Sequence, residues 1–180
     1  MKKRFLTAGL SLLLFTALIL SGCGNTGSSD RSSSDESYIG EFTAVTHTGD
    51  SVDQSIFAEA DLTMINVWTT FCGYCIDEMP TLEKLSKTYA DQNFPIVGMV
   101  SDVFEAGDAT VQDIIDTTGV TYPQIIASEE LQTNFLQNVQ SVPTTVFVNS
   151  KGQLIGKPYI GMRDEDGWAS IIEQSLELVQ

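Results

Sequence analysis

The stretch from Leu62 to Tyr89 limits what this chain can fold into more than any other. Leu62-Thr63-Met64-Ile65-Asn66-Val67-Trp68 is apolar and β-favouring, and predicts a buried strand. Shortly after it comes Cys72-Gly73-Tyr74-Cys75, and then Ile76, Met79, Leu82, Leu85 and Tyr89 at the three- and four-residue steps of an amphipathic helix. A cysteine pair therefore falls on a strand-to-helix junction. The first turn of a helix has unpaired N–H groups and the positive end of the helix dipole, and both stabilise an anion. Cys72, at that end, is expected to have a lowered pKa and to be the attacking thiolate. Cys75 lies one turn further on, on the same face and within bridging reach, and is expected to be more buried and to act as the resolving thiol. Cys72 would attack a partner's disulfide, and Cys75 would then attack Cys72 and release the reduced partner. The same steps in reverse oxidise a dithiol.

Strand and helix signals alternate through the rest of the chain. Phe42 to Ile56, with Gly49-Asp50 near its middle, predicts a lead-in hairpin. Phe94 to Val100 predicts a second buried strand, and Val111, Ile114 and Ile115 a helix stopped by Gly119. Tyr122 to Ala127 predicts a short strand, followed by a short helix around Leu131 and Phe135. Thr144 to Asn149 and Gln153 to Gly161 flank Ser150-Lys151-Gly152 as a hairpin. Trp168, Ile171, Ile172, Leu176 and Val179 predict a closing helix with Asp164 as its N-cap. The expected fold class is α/β: a central mixed sheet flanked by helices, with an N-terminal β-hairpin extension.

The first residues have the pattern of an export signal. Lys2, Lys3 and Arg4 precede an apolar run from Phe5 to Leu20, which is short for a membrane span. Leu20-Ser21-Gly22-Cys23 resembles the lipobox of bacterial lipoproteins, which implies that residues 1–22 are a signal peptide and that Cys23 is lipidated. Residues 23–37, rich in Ser, Gly and Asp, cannot bury a core and are expected to be a tether; residues 38–180 are expected to form one domain. Beyond the signal, 6 basic residues face 24 acidic ones, a balance of −18. Such a surface excludes a nucleic-acid footprint and electrostatic docking on anionic headgroups, so acyl chains would hold the protein at the membrane. With Cys23 assigned to the lipid, Cys72 and Cys75 are the only pair left. The loop they close is too small to staple a fold, so reactivity explains them better than architecture.

Trp68 to Pro80, together with Val142-Pro143-Thr144, resembles the TlpA/ResA-like branch of the thioredoxin superfamily, and the similarity extends over most of residues 38–180. The resemblance implies a thioredoxin-like fold with no cofactor or metal. It also implies that Pro143 is the family's cis-proline, whose loop faces the disulfide and lets the Val142 backbone pair with substrate. Glu78 matches an acidic residue implicated in proton handling, and Pro80 the proline that kinks the active-site helix. By position alone, Glu78 equally suits an exposed acid near a helix start. Trp68 is expected to pack beside the site and also to meet partners, and Tyr74 to be exposed and to tune partner fit or redox poise. Three departures stand out: Phe71 replaces the usual Trp, Asn66 the buried Asp of thioredoxins proper, and Gly73-Tyr74 the Gly-Pro dipeptide. Potentials in this fold run from about −270 to about −120 mV, so the family does not settle direction.

Other chemistries lack their residues. Zinc needs two more ligands, and His47 is the only histidine. A Sco-type copper site spaces its cysteines by three residues and adds a His, and a peroxiredoxin motif needs proline where Ile65 stands. The expectation is a monomeric, membrane-anchored extracytoplasmic thiol–disulfide oxidoreductase, on a Gram-positive surface or facing a periplasm. Reduction of protein disulfides is the expected direction. The resemblance implies partners of the cytochrome c apoprotein or methionine sulfoxide reductase type, and a CcdA-like membrane thiol donor. The alternatives are an oxidase or isomerase of secreted proteins, and a non-catalytic binding module.

Overall fold

The computed structural model describes residues 38–179; the expected signal peptide, tether and Cys23 lie outside them. Its centre is a seven-stranded mixed sheet in the order β2-β1-β5-β4-β3-β6-β7. The strands are β1 (Thr43–Thr46), β2 (Ser51–Asp53), β3 (Leu62–Trp68), β4 (Ile96–Val100), β5 (Gln124–Ile126), β6 (Thr144–Asn149) and β7 (Leu154–Ile160). The helices are α1 (Gly73–Thr88), α2 (Ala109–Thr118), α3 (Glu129–Asn134) and α4 (Glu165–Glu177). β3, β4 and β5 run parallel, and β6 returns antiparallel beside β3. The lead-in hairpin β1–β2 joins the sheet by pairing β1 antiparallel to β5.

Period-two alternation along β3 divides the core. Leu62, Met64 and Trp68 face a cluster built with α1, α2 and α4, through Leu82, Val111, Trp168 and Ile172. Ile65 and Val67 face the opposite cluster, with Phe57, Leu131 and Leu136. Helix ends follow local chemistry: Asp108 accepts from the N–H groups of Thr110 and Val111, and Asp164 from that of Gly167. Each such cap is worth about 1 kcal/mol. α2 ends at Gly119, whose φ of 70° suits glycine as a C-cap.

One row across the sheet is polar. Thr145, Asn66, Gly98 and Gln124 sit in register on β6, β3, β4 and β5, all buried on the α1 side. Trp68 donates its indole N–H to Gln124 Oε1 at 2.9 Å, and Gln124 donates to the Tyr122 carbonyl at 3.3 Å. The Gln124 carboxamide occupies the space a Cβ at Gly98 would need. Gly98→Ala should therefore push Gln124 off the Trp68 indole and cost about 1–3 kcal/mol, measured by urea unfolding. An unchanged midpoint would show that the row repacks freely.

Candidate active site

The parallel pairing of β3 with β4 and the return of β6 bring three segments to one edge. β3 delivers Thr69 to Cys72, β4 delivers Ser101 and Asp102, and the start of β6, opposite Val67, delivers Val142-Pro143. The Val142–Pro143 peptide bond is cis. Cys72 is the N-cap of α1: its carbonyl accepts from Cys75 N and Ile76 N, both at 3.1 Å, and its sulfur receives the Cys75 N–H at 3.2 Å. The two cysteines form a disulfide, with Cα atoms 5.3 Å apart. Cys72 is 9% exposed and Cys75 fully buried, so an incoming thiolate reaches the pair from the Cys72 side. The Cys75 N–H that reaches the Cys72 sulfur and the positive end of α1 both favour a thiolate at Cys72 once the bond opens.

Glu78 is fully buried, one turn beyond Cys75 on α1. Its Oε1 accepts the Trp168 indole N–H at 2.7 Å and the Arg163 backbone N–H at 2.8 Å. Its Oε2 accepts from Asn66 Nδ2 at 3.2 Å. Asn66 also donates to Thr145 Oγ1 at 3.0 Å, while its own Oδ1 is buried without a partner. The Arg163 guanidinium lies 5.0 Å over the Trp168 ring and 5.3 Å over that of Tyr159. Burial pushes the Glu78 carboxyl above its ordinary value. The donors from Trp168, Arg163 and Asn66 and the Arg163 charge oppose the rise without cancelling it. The site thus holds, one turn of α1 beyond its disulfide, a carboxyl that keeps its proton to higher pH than an exposed one would.

Among the described residues, those singled out from the sequence fall as follows. Tyr74 and Phe71 are 70% and 79% exposed on either side of Cys72. Val142 is half-buried and lines a shallow cleft of about 290 Å³ with Thr69, Ser101, Gln140 and Ser141. Pro143 is buried behind it, and Pro80 lies within α1. The expectation that Trp68 meets partners is corrected: it is fully buried, and its polar edge is spent on Gln124. Trp68 supports the site from below. Sequence reasoning also missed Trp168 and Arg163 as partners of Glu78. They lie 90 and 85 residues away in the chain, and only the docking of α4 against α1 brings them in.

Comparison with known proteins points the same way. A profile of the Redoxin family matches residues 34–171. The thioredoxin-like protein YneN of Bacillus subtilis is 34% identical over 95 residues, covering 53% of this chain and 54% of that protein. The thiol-disulfide oxidoreductase ResA of Halalkalibacterium halodurans is 28% identical over 116 residues, covering 64% of this chain and 61% of the relative. The chain thus spans little more than half the length of these relatives. Among solved structures, a thiol:disulfide interchange protein of the thioredoxin family from Chlorobium tepidum superimposes with a TM-score of 0.64 at 24% identity, covering 76% of this chain and 93% of that one. StoA from Bacillus subtilis does so at 0.58 and 20%, covering 74% and 97%. These likenesses establish the thioredoxin-like fold expected from the sequence.

Proposed function

The chain belongs to the Redoxin family, as a TlpA/ResA-like protein of thioredoxin-like fold, and from that premise we propose that it is an extracytoplasmic thiol–disulfide oxidoreductase that reduces protein disulfides. The observation that carries this reading is the Cys72–Cys75 disulfide at the N-terminus of α1, with Cys72 9% exposed and Cys75 fully buried behind it. Relatives named as thiol-disulfide oxidoreductases support it.

In the reducing direction, the Cys72 thiolate attacks one sulfur of a partner disulfide. A Cys72–partner bond forms, and the partner's other sulfur leaves as a thiolate that takes up a proton. Cys75 then loses its proton and attacks the Cys72 sulfur. The Cys72–Cys75 bond forms, the mixed disulfide breaks, and the partner departs as a dithiol. Two electrons and two protons pass to the partner. Glu78, one turn from Cys75 and kept protonatable by burial, is the group we assign to receive the Cys75 proton. Exposed Tyr74 and the half-buried Val142 backbone are assigned to partner contact.

Restoring the dithiol requires a second thiol donor, and a membrane thiol protein of CcdA-like type fits an anchored enzyme. Anchoring is assigned to lipid on Cys23, supported by the basic head, apolar run and Leu20-Ser21-Gly22-Cys23. Cys23→Ala should release the protein from the membrane fraction or leave it unprocessed, and unchanged retention of a processed chain would exclude the lipid anchor. For the activity, the reduced protein mixed with a disulfide-bonded protein should yield free partner thiols and its own oxidised pair. Cys72→Ser should yield none. Equal thiol release by the Cys72→Ser variant would remove Cys72 as the nucleophile, and no release by the wild-type protein would reject the reading in favour of a binding module.

A further inference from the structure

The turn that presents Cys72 is bolted to the end of β4, and the bolt is a single carboxylate. Asp102 accepts the Thr70 backbone N–H on both oxygens, at 3.1 and 3.0 Å, and the Thr70 hydroxyl on Oδ2 at 2.6 Å. One residue earlier, Ser101 donates its N–H at 3.0 Å and its hydroxyl at 3.2 Å to the Trp68 carbonyl. Between these two fastenings lies Thr69, whose carbonyl accepts the Cys72 N–H at 3.2 Å and so closes the turn Thr69-Thr70-Phe71-Cys72. Asp102 caps no helix and makes no other hydrogen bond among the described residues. Its carboxylate serves Thr70 alone.

We propose that Asp102 is a positioning residue for the exchange reaction: through Thr70 it holds the turn that aims the Cys72 sulfur along the approach of the incoming disulfide. This rests on the thiol–disulfide exchange proposed above. Displacement at sulfur is an in-line reaction, and fixing the attacking atom supplies much of its advantage. The turn has only one internal hydrogen bond, Cys72 N to Thr69 O, and exposed Phe71 has no core to grip. Buried Thr69 and Cys72 hold the two ends of the turn, and Asp102 is the only side chain among the described residues that fastens Thr70 between them. The same fastening ties the turn to the loop carrying Phe104, which is 73% exposed, so Phe71 and Phe104 leave the surface from two strand ends joined through one carboxylate.

The structure separates geometry from charge. An asparagine at position 102 can accept the Thr70 N–H on its oxygen and donate its amide N–H to the Thr70 hydroxyl, which can act as acceptor. Asp102→Asn keeps the fastening and removes the charge, whereas Asp102→Ala removes both. The test is the second-order rate constant of the reduced protein with a disulfide-bonded protein, alongside the pH–rate profile and thermal unfolding. Asp102→Ala should slow exchange by about tenfold. Asp102→Asn should restore it to within about threefold of wild type, and Thr70→Val, which loses only the hydroxyl bond, should slow it about threefold. The Thr70→Val effect should vanish in an Asp102→Ala background. Should Asp102→Ala fail to fold, Thr70→Val alone still decides. The proposal is overturned if Asp102→Ala or Thr70→Val exchanges at the wild-type rate. It is also overturned if Asp102→Asn is as slow as Asp102→Ala, because charge and not position would then be at work. A wild-type protein that exchanges with no disulfide would instead defeat the proposed function, which distinguishes the two failures.

Discussion

A Cys75→Ser protein, reduced and mixed with a disulfide-bonded protein, should accumulate as a covalent complex joined through Cys72. The expectation follows from the asymmetry of the site. Cys72 reaches solvent at the cap of α1, whereas Cys75 is fully buried behind it. Attack from outside therefore falls to Cys72, and release falls to Cys75. With serine at position 75 the first displacement proceeds and the second cannot, because a hydroxyl does not displace a sulfur at neutral pH. Most of the variant should appear on a non-reducing gel as the one-to-one adduct, dissolved by dithiothreitol, while Cys72→Ser gives none. Adducts formed equally by Cys72→Ser would erase the distinction of roles, and their absence from Cys75→Ser would remove Cys72 as the nucleophile.

The second large effect lies at Glu78. Three donors, from Trp168, the Arg163 backbone and Asn66, converge on a carboxyl with no exposed surface. Glu78→Ala leaves all three unanswered, and at about 1–3 kcal/mol each the variant should lose about 3–5 kcal/mol of stability. Glu78→Gln is different. Its oxygen accepts from Trp168 and Arg163, and its amide can donate to Asn66 Oδ1, which lacks a partner, once the Asn66 amide turns over.

The sign of the pH effect follows from burial. In the unfolded chain Glu78 ionises near its ordinary value of 4.5, whereas in the fold it holds its proton to higher pH. Above 4.5 the unfolded state therefore binds fewer protons, and wild-type stability falls with rising pH until the folded carboxyl has ionised. Glutamine escapes that loss. The stability of Glu78→Gln relative to wild type should rise with pH across this window and then level off, in denaturant titrations at a series of pH values. A difference independent of pH would mean that the buried carboxyl does not titrate above its ordinary value. With no carboxylate to take the Cys75 proton, the same variant should resolve mixed disulfides about a hundredfold more slowly near neutral pH, while the Cys72 attack is spared.

The elements were legible where period and punctuation agree. β3 and β6 fall on the expected residues, as do the Gly119 stop and the Asp164 cap, because apolar alternation and capping are local properties. The cysteine pair was legible for the same reason: strand, turn and helix are contiguous in sequence. The environment of Glu78 was not. From its own neighbourhood it suits an exposed acid, and it is buried because α4 brings Trp168 and Arg163 across 85–90 residues to meet it. Trp68 misled in the opposite sense. An indole beside a redox pair suggests a partner contact, but β4 carries a glycine at position 98, and Gln124 fills that space to take the indole N–H. Asp102 gave no sequence signal either, since its partner Thr70 lies on a neighbouring strand's end, 32 residues away.

Direction is set by the redox poise of the pair, where Gly73-Tyr74 between the cysteines and Phe71 before them replace the Gly-Pro of thioredoxins and the Trp usual in the TlpA/ResA-like branch. The decisive measurement is the reduction potential of the Cys72–Cys75 pair, titrated against defined thiol–disulfide buffers. A reductase of protein disulfides requires a value near that of thioredoxin, about −270 mV, or below it; a value near −120 mV, where the strong oxidants of the fold lie, would contradict it.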